Sequence, residues 1–190
     1  MGLLTFKGGI HPNDGKSLAK DKAIVEVLPE GDLVFPLSQH IGAPAAPIVK
    51  VGDQVLKGQK IAEAGGFVSA PVYSSVSGKV KAIAPYFTPT GGKVSSIIVE
   101  NDGAYTEAER LSTRPLEMLS KEEILNLIAE AGIVGMGGAG FPTRVKLSPK
   151  EPEKIEYVIA NCAECEPYIT ADYRRMMENP EDLVEGMRVI

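Results

Sequence analysis

The chain has 190 residues, 24% of them charged and 44% hydrophobic, with a net charge of −5 at pH 7, the balance of an ordinary globular protein. No stretch approaches the roughly 18 consecutive apolar residues of a membrane span, and the negative charge argues against a nucleic-acid-binding face. Two cysteines can neither staple a disulfide framework nor supply the four thiolates of an iron–sulfur cluster.

In chain order, Met1 is not followed by a basic and apolar export pattern, so a reducing cytosol is the expected compartment. His11-Pro12 and Asn13-Asp14-Gly15 mark turns, and Ile24, Val25, Val27 and Leu28 suggest a short strand before Pro29-Glu30-Gly31. From Leu33 to Glu100 the texture is β. The β-rich runs are Val34-Phe35-Pro36-Leu37, Ala46 to Val51, Val55, Lys60-Ile61-Ala62, Lys79 to Ile83, and Ser96 to Glu100. Gly52-Asp53, Gly58, Gly65-Gly66, Gly78 and Gly91-Gly92 separate them. Short, closely spaced strands with glycine turns predict a small sandwich or barrel.

At Glu107 the texture changes. Ser120-Lys121-Glu122-Glu123 is a capping box, followed by Ile124, Leu127, Ile128 and Ala131 on one helical face and by Gly132 as a stop. A glycine-rich loop follows, then Ile155 to Ala160 as a buried strand. Asn179-Pro180-Glu181-Asp182 reads as N-cap, first-turn proline and two acids opening another helix, with Leu183, Val184, Met187 and Ile190 on one face. The fold class is therefore α+β in two domains, with residues 1–105 holding the β domain and 106–190 the start of an α/β domain. Ile190, apolar and uncapped, suggests an α/β domain cut short.

Three motifs carry chemistry. Val49 to Glu63, with a turn at Gly52-Asp53 and another at Gly58, and then Ala70 to Val80, resemble the biotinyl/lipoyl barrel-sandwich fold. The carrier lysine of such domains belongs about eleven residues before Gly78. Phe67 stands there and residues 64–70 hold no lysine, so docking or scaffolding is expected rather than carriage. Asp21-Lys22-Ala23 looks like a lipoylation site but lies upstream of both half-motifs.

Gly135-Met136-Gly137-Gly138-Ala139-Gly140 formally matches G-x-G-x-x-G. A dinucleotide fingerprint needs a strand before it and a helix opening on it. Here a helix precedes and Phe141-Pro142 follows, so the Rossmann reading fails. The glycines still let backbone amides approach a phosphate or a flat ring, and Lys146 can add positive charge. From the glycines alone, a ligand site and a flexible connection fit equally.

Asn161-Cys162-Ala163-Glu164-Cys165-Glu166-Pro167 follows the expected strand 155–160, where ligands of open α/β sheets gather. Glu164 and Glu166 offer acceptors for ribose hydroxyls or a ring N–H, and a solvated acidic turn is the alternative. Cys162 and Cys165 form C-x-x-C, but zinc needs four ligands and the chain's two histidines, His11 and His40, lie far away in sequence. The alternating glutamates disfavour thiolate, so both cysteines are expected as small buried residues and both histidines as hydrogen-bonded structural ones.

Together the motifs resemble a known family. Phe6 to Pro12, Pro36 to Gly42, the Val51-Gly52-Asp53 half-motif, Gly135 through Lys146, Asn161 through Pro167 and Tyr168 to Asp172 are similar, in order and over essentially the whole chain, to the N-terminal part of the C subunit (RnfC) of the Rnf electron-transport complex. The resemblance implies a barrel-sandwich domain followed by a flavin domain similar to the NADH-binding flavoprotein subunit of respiratory complex I. It implies FMN held by Gly135, Gly137, Gly138, Lys146, Asn161 and Glu164. It implies NAD(H) held by Gly138, Phe141 and Glu166, with Phe141 on the adenine and Glu166 toward the nicotinamide. Arginine stands in the complex I pattern where this chain has Met136, and aspartate where it has Ala163.

The implied activity, that of the intact subunit, is electron transfer between NAD(H) and FMN, feeding [4Fe-4S] clusters carried in further C-terminal domains. It serves a membrane-bound ferredoxin:NAD oxidoreductase that translocates sodium or protons. These 190 residues alone are expected to be inactive. No side chain here is needed as nucleophile or general base, and no metal site is expected in these residues. The implied partners are the other subunits of the complex, NAD(H) and, indirectly, ferredoxin, at the cytoplasmic face of the cell membrane as a peripheral subunit. Two alternatives stand beside this reading. One is a non-catalytic docking module. The other is the related A subunit of the sodium-translocating NADH:quinone reductase.

Overall fold

In the computed structural model the described residues are 10, 12–89, 91–111, 114–136 and 138–190. They fall into two compact units, one spanning Val27–Glu156 and the other combining Met1–Glu26 with Tyr157–Ile190.

The larger unit is built on antiparallel strands β1 (Leu33–Pro36), β2 (Ala46–Pro47), β3 (Gln54–Val55), β4 (Lys60–Glu63), β5 (Val72–Tyr73), β6 (Gly78–Phe87) and β7 (Lys93–Asn101). A four-stranded sheet runs β1-β7-β6-β3 and a three-stranded sheet runs β2-β4-β5. Register follows burial. Phe35 stands opposite Ile97 across β1 and β7, and Val80 opposite Val99 across β6 and β7. An irregularity between Val80 and Ala82 shifts the β6–β7 pairing by one residue. Both sheets feed one core, with Phe35, Val80, Ile97 and Val99 from the first and Ile61, Ala62 and Val72 from the second. Ile61, Val76, Val80, Ile97 and Val99 are fully buried, each contributing about 1.5–3 kcal/mol relative to exposure.

The same unit carries α1 (Lys121–Glu130) and α2 (Thr143–Lys146). The capping box forms as predicted: the Glu123 amide donates to the Ser120 hydroxyl, and the Glu123 carboxylate accepts from the Ser120 amide. These bonds from Ser120, with the Arg114 guanidinium, hold the Glu123 carboxyl down at about 2. Gly132 ends the helix at φ +68°. The C-terminal end of α1 is fastened to the second sheet. The Lys60 ammonium pairs with the Glu130 carboxylate, and the Tyr73 hydroxyl donates to the Glu130 carbonyl. Burial pulls the Lys60 amine down, but its hydrogen bonds to Glu130 and Glu63 outweigh it and the net displacement is upward.

The smaller unit holds α3 (Ala171–Glu178) and α4 (Pro180–Val189), which share Asn179 as the end of one and the start of the other. Pro180 opens α4 with Glu181 and Asp182 in its first turn, but the Asn179 side chain makes no capping bond. It sits at φ −136° and ψ 57°, a conformation set by closing α3 as well as opening α4.

Two expected strands do not form. Residues 24–28 are irregular, and the Ile24 amide donates to the Glu178 carboxylate instead of a ladder. Residues 155–160 are also irregular and outside any sheet, with Tyr157 at 80% and Ile159 at 83% exposure. In both places an apolar, β-branched run has no neighbouring strand to accept its backbone bonds, and a strand exists only as half of a pair.

Candidate functional site

The glycine loop begins where α1 stops. The Gly135 amide donates to the Phe141 carbonyl and the Thr143 amide to the Ile133 carbonyl, closing the loop into a small antiparallel bridge between Val134 and Pro142. α2 then leaves the loop and returns its last residue over it. A Cβ built on Gly135 would lie 3.8 Å from Lys146 Nζ and 3.7 Å from the Phe141 carbonyl oxygen. So Lys146, predicted only from spacing, does bring its ammonium to the loop. Gly138 faces open space on its Cα. Met136 beside it is almost fully exposed, at 94%. Gly137 lies outside the described residues. Phe141 is exposed. At Gly135 and Gly138 the backbone is bare of side chains, and the Lys146 ammonium lies beside the first of them, features that let an anion or a flat ring approach the main chain.

Gly140 has another task. Its φ is +61°, and a Cβ there would stand 2.7 Å from the Gln39 carbonyl oxygen and 2.9 Å from His40 Cα. The loop is thus seated directly on the turn 39–41 between β1 and β2, and the Ile41 amide donates to the Ala139 carbonyl at 3.0 Å. The buried His40 joins that turn to the β4–β5 loop. Its Nε2 accepts from the Ala70 amide at 3.1 Å, which leaves Nδ1 to donate to the Ile41 carbonyl at 3.1 Å. The structural role expected of His40 is present, and it is placed under the glycine loop, which the sequence did not reveal. His11 lies outside the described residues. Phe67, at the lipoyl-lysine position, is an exposed residue of the loop between β4 and β5.

The acidic segment belongs to the smaller unit. The Asn161 side-chain oxygen accepts from the Ala163 amide, making a tight local turn. The Glu164 carboxylate accepts from the amides of Asp172 and Tyr173 at 3.1 and 3.3 Å, so it caps the start of α3. Glu166 is exposed. Cys162 and Cys165 are free thiols, and they are not the buried pair the sequence suggested: Cys165 is exposed and Cys162 partly so. The reason is the missing strand 155–160, which leaves the segment that follows it without a sheet to cover it. The Cys162 thiol donates to the Ala160 carbonyl at 3.7 Å. Among the described residues no cluster of His, Cys, Asp and Glu could hold a metal ion.

One contact set was invisible in the sequence. Lys16 Nζ donates to the main-chain carbonyls of Glu166 (2.8 Å) and Ile169 (2.6 Å), and the Tyr168 amide donates to the Asp14 carbonyl. The Tyr168 ring covers Gly15, where a Cβ would stand 2.2 Å from ring carbon Cδ1. Tyr168 itself has φ +70°, a left-handed conformation that costs a side-chain-bearing residue about 1–3 kcal/mol and persists only where its surroundings fix it. Asn13-Asp14-Gly15 was legible as a turn. That the turn grips residues some 150 positions later was not.

Comparison with known proteins adds a family context. The family model of the RnfC barrel sandwich hybrid domain matches residues 4–104, and that of the Nuo51 FMN-binding domain matches residues 128–190. The chain is 50% identical over 190 residues to the C subunit of the proton-translocating ferredoxin:NAD(+) oxidoreductase complex of Clostridium ljungdahlii, covering 99% of this chain and 41% of that one. It is 43% identical over 188 residues to the Na(+)-translocating counterpart of Acetobacterium woodii, covering 97% and 42%. It is 42% identical over 189 residues to the C subunit of the ion-translocating oxidoreductase complex of Rhodobacter capsulatus, covering 98% and 36%. The chain thus spans about two fifths of the length of the first two relatives.

Proposed function

The chain belongs to the RnfC family, and from that premise we propose that it serves electron transfer between NAD(H) and FMN in an ion-translocating ferredoxin:NAD oxidoreductase. The observation that carries the reading is the open glycine loop with Lys146 at its edge, inside the region that matches an FMN-binding domain. Gly135, Gly138 and Lys146 fit a flavin's phosphate and ring by chemistry: bare backbone for close approach and a single ammonium for the anion. Gly137, Asn161 and Glu164 complete the proposed FMN set, and Gly138, Phe141 and Glu166 are proposed to hold NAD(H). FMN, when bound, supplies the exchange of a hydride for single electrons. The chain's own residues bind, orient and neutralise charge, and none needs to act as nucleophile or base.

The wider assembly is part of the same proposal. Electrons pass to [4Fe-4S] clusters and ferredoxin through other parts of the complex, and the protein sits peripherally at the cytoplasmic face of the membrane. Among the described residues no helix is long and apolar enough to cross one.

The test is direct. The purified chain is titrated into FMN and flavin fluorescence is followed. Saturable quenching that weakens in Lys146→Met supports the reading. No quenching by the wild-type chain overturns the claim that these residues form a flavin module by themselves and favours a docking module, with the family membership unaffected. That second reading draws on one observation: every fully buried apolar side chain among the described residues lies in the barrel.

A further inference from the structure

The Tyr168 backbone is held in a left-handed conformation two residues after Glu166, the residue proposed above to face the nicotinamide. Left-handed residues with bulky side chains gather where a segment must be presented in one particular way. Four contacts enforce it here, all from the turn at 13–16. Lys16 Nζ reaches the carbonyls on both sides of the Pro167-Tyr168 bend, at Glu166 and Ile169. Asp14 accepts the Tyr168 amide, and the Tyr168 ring occupies the space over Gly15 that a side chain would fill. The turn is itself braced: the Gly15 amide donates to Asn13 Oδ1 and the Lys16 amide to Asp14 Oδ1.

From this geometry we infer that Lys16 is a positioning residue for NAD(H). Its ammonium clamps the main chain of Glu166 and Ile169 and so sets where the Glu166 carboxylate is presented. An ammonium suits the task. It carries three donors on a compact charge, so it can bond two carbonyls converging from a sharp bend, and both bonds are charge-assisted. The acidic segment is then held at both ends by different devices. Glu164 is tied to the first amides of α3, and Glu166 is tied through its carbonyl to Lys16. The inference rests on the flavin and nicotinamide reading proposed above and goes beyond it by assigning a task to a residue far in sequence from either cofactor motif.

The experiment compares wild type, Lys16→Met and Lys16→Arg in the purified chain. Three readouts are used: FMN affinity by fluorescence quenching, NADH concentration for half-maximal anaerobic bleaching of the bound flavin, and amide hydrogen exchange over residues 166–170. The expected result for Lys16→Met, which removes both charged hydrogen bonds, is a rise of about tenfold in the NADH requirement, part of their strength being spent on holding the backbone. FMN affinity stays within about twofold, exchange over 166–170 accelerates, and Lys16→Arg recovers at least part of both changes. Unchanged NADH requirement in Lys16→Met with FMN bound overturns the inference. Equal loss of FMN and NADH binding, unrescued by arginine, also overturns it, because that is the signature of general unfolding. If wild type binds no FMN at all, the flavin reading itself fails and the inference with it, a result distinct from the other two.

Discussion

The barrel and the segment 155–161 are both rich in β-branched and aromatic residues, yet one forms a core and the other stays in solvent. Ile97 on β7 is fully buried, while Ile159 is 83% exposed. The difference is not composition. β7 has β6 on one side and, along residues 96–99, β1 on the other, so its middle is paired at both edges and the buried Ile97 and Val99 join the core shared by the two sheets. Residues 155–160 have no ladder on either side. Hydrophobicity supplies the tendency to be buried, and pairing decides whether the tendency is realised.

This contrast can be tested from its strongest expected effect to its weakest. Ile97→Ala should cost about 2–5 kcal/mol, read as a fall in the urea midpoint at unchanged slope. A loss below about 1 kcal/mol would mean that the core is looser than its burial shows. Gly140→Ala should cost about 1–3 kcal/mol, since it adds a Cβ at positive φ against the Gln39 carbonyl. It should also weaken FMN quenching by displacing the glycine loop, and an unaltered affinity would show that the loop does not depend on its seat. Ser120→Ala should cost about 1 kcal/mol by removing the α1 cap, visible as faster amide exchange at Glu123.

The same cap has a pH signature. The Glu123 carboxyl is lowered to about 2 from an ordinary 4.5. A depressed carboxyl stabilises the fold above its unfolded value and stops doing so as pH falls through the folded one. Helix α1 should therefore keep its full cap down to about pH 4.5 and lose it progressively towards pH 2, a trend absent in Glu123→Gln. The smallest effect belongs to the exposed run: Ile159→Ala should change stability by less than about 0.5 kcal/mol. A larger loss in the isolated chain would show that 155–160 is packed after all.

The parts legible from sequence were those in which local pattern and long-range partner agree. The runs near 33–37, 79–83 and 96–100 became β1, β6 and β7 because each found a neighbour, and Ser120-Lys121-Glu122-Glu123 became a cap because its partners are three residues apart. The runs at 24–28 and 155–160 misled because nothing local reports a missing neighbour. In the candidate site, the glycine loop and Lys146 could be read from spacing, since a short helix fixes their distance. The Lys16 clamp, the His40 joint and the capping use of Glu164 could not. Each depends on residues brought together from distant parts of the chain or on a choice among several acceptors that only the backbone path makes.

The seating of the glycine loop has a practical corollary for anyone moving this module between proteins. Its approach is set by the end of α1, pinned through Glu130 to Lys60 and Tyr73, and its exit by Gly140 against Gln39 and His40. A chimera cut between barrel and flavin region, at the boundary the sequence invites, would separate the loop from both of its fixtures. A graft that carries residues 36–43 and 60–73 together with 120–147 transfers the loop with the template that shapes it.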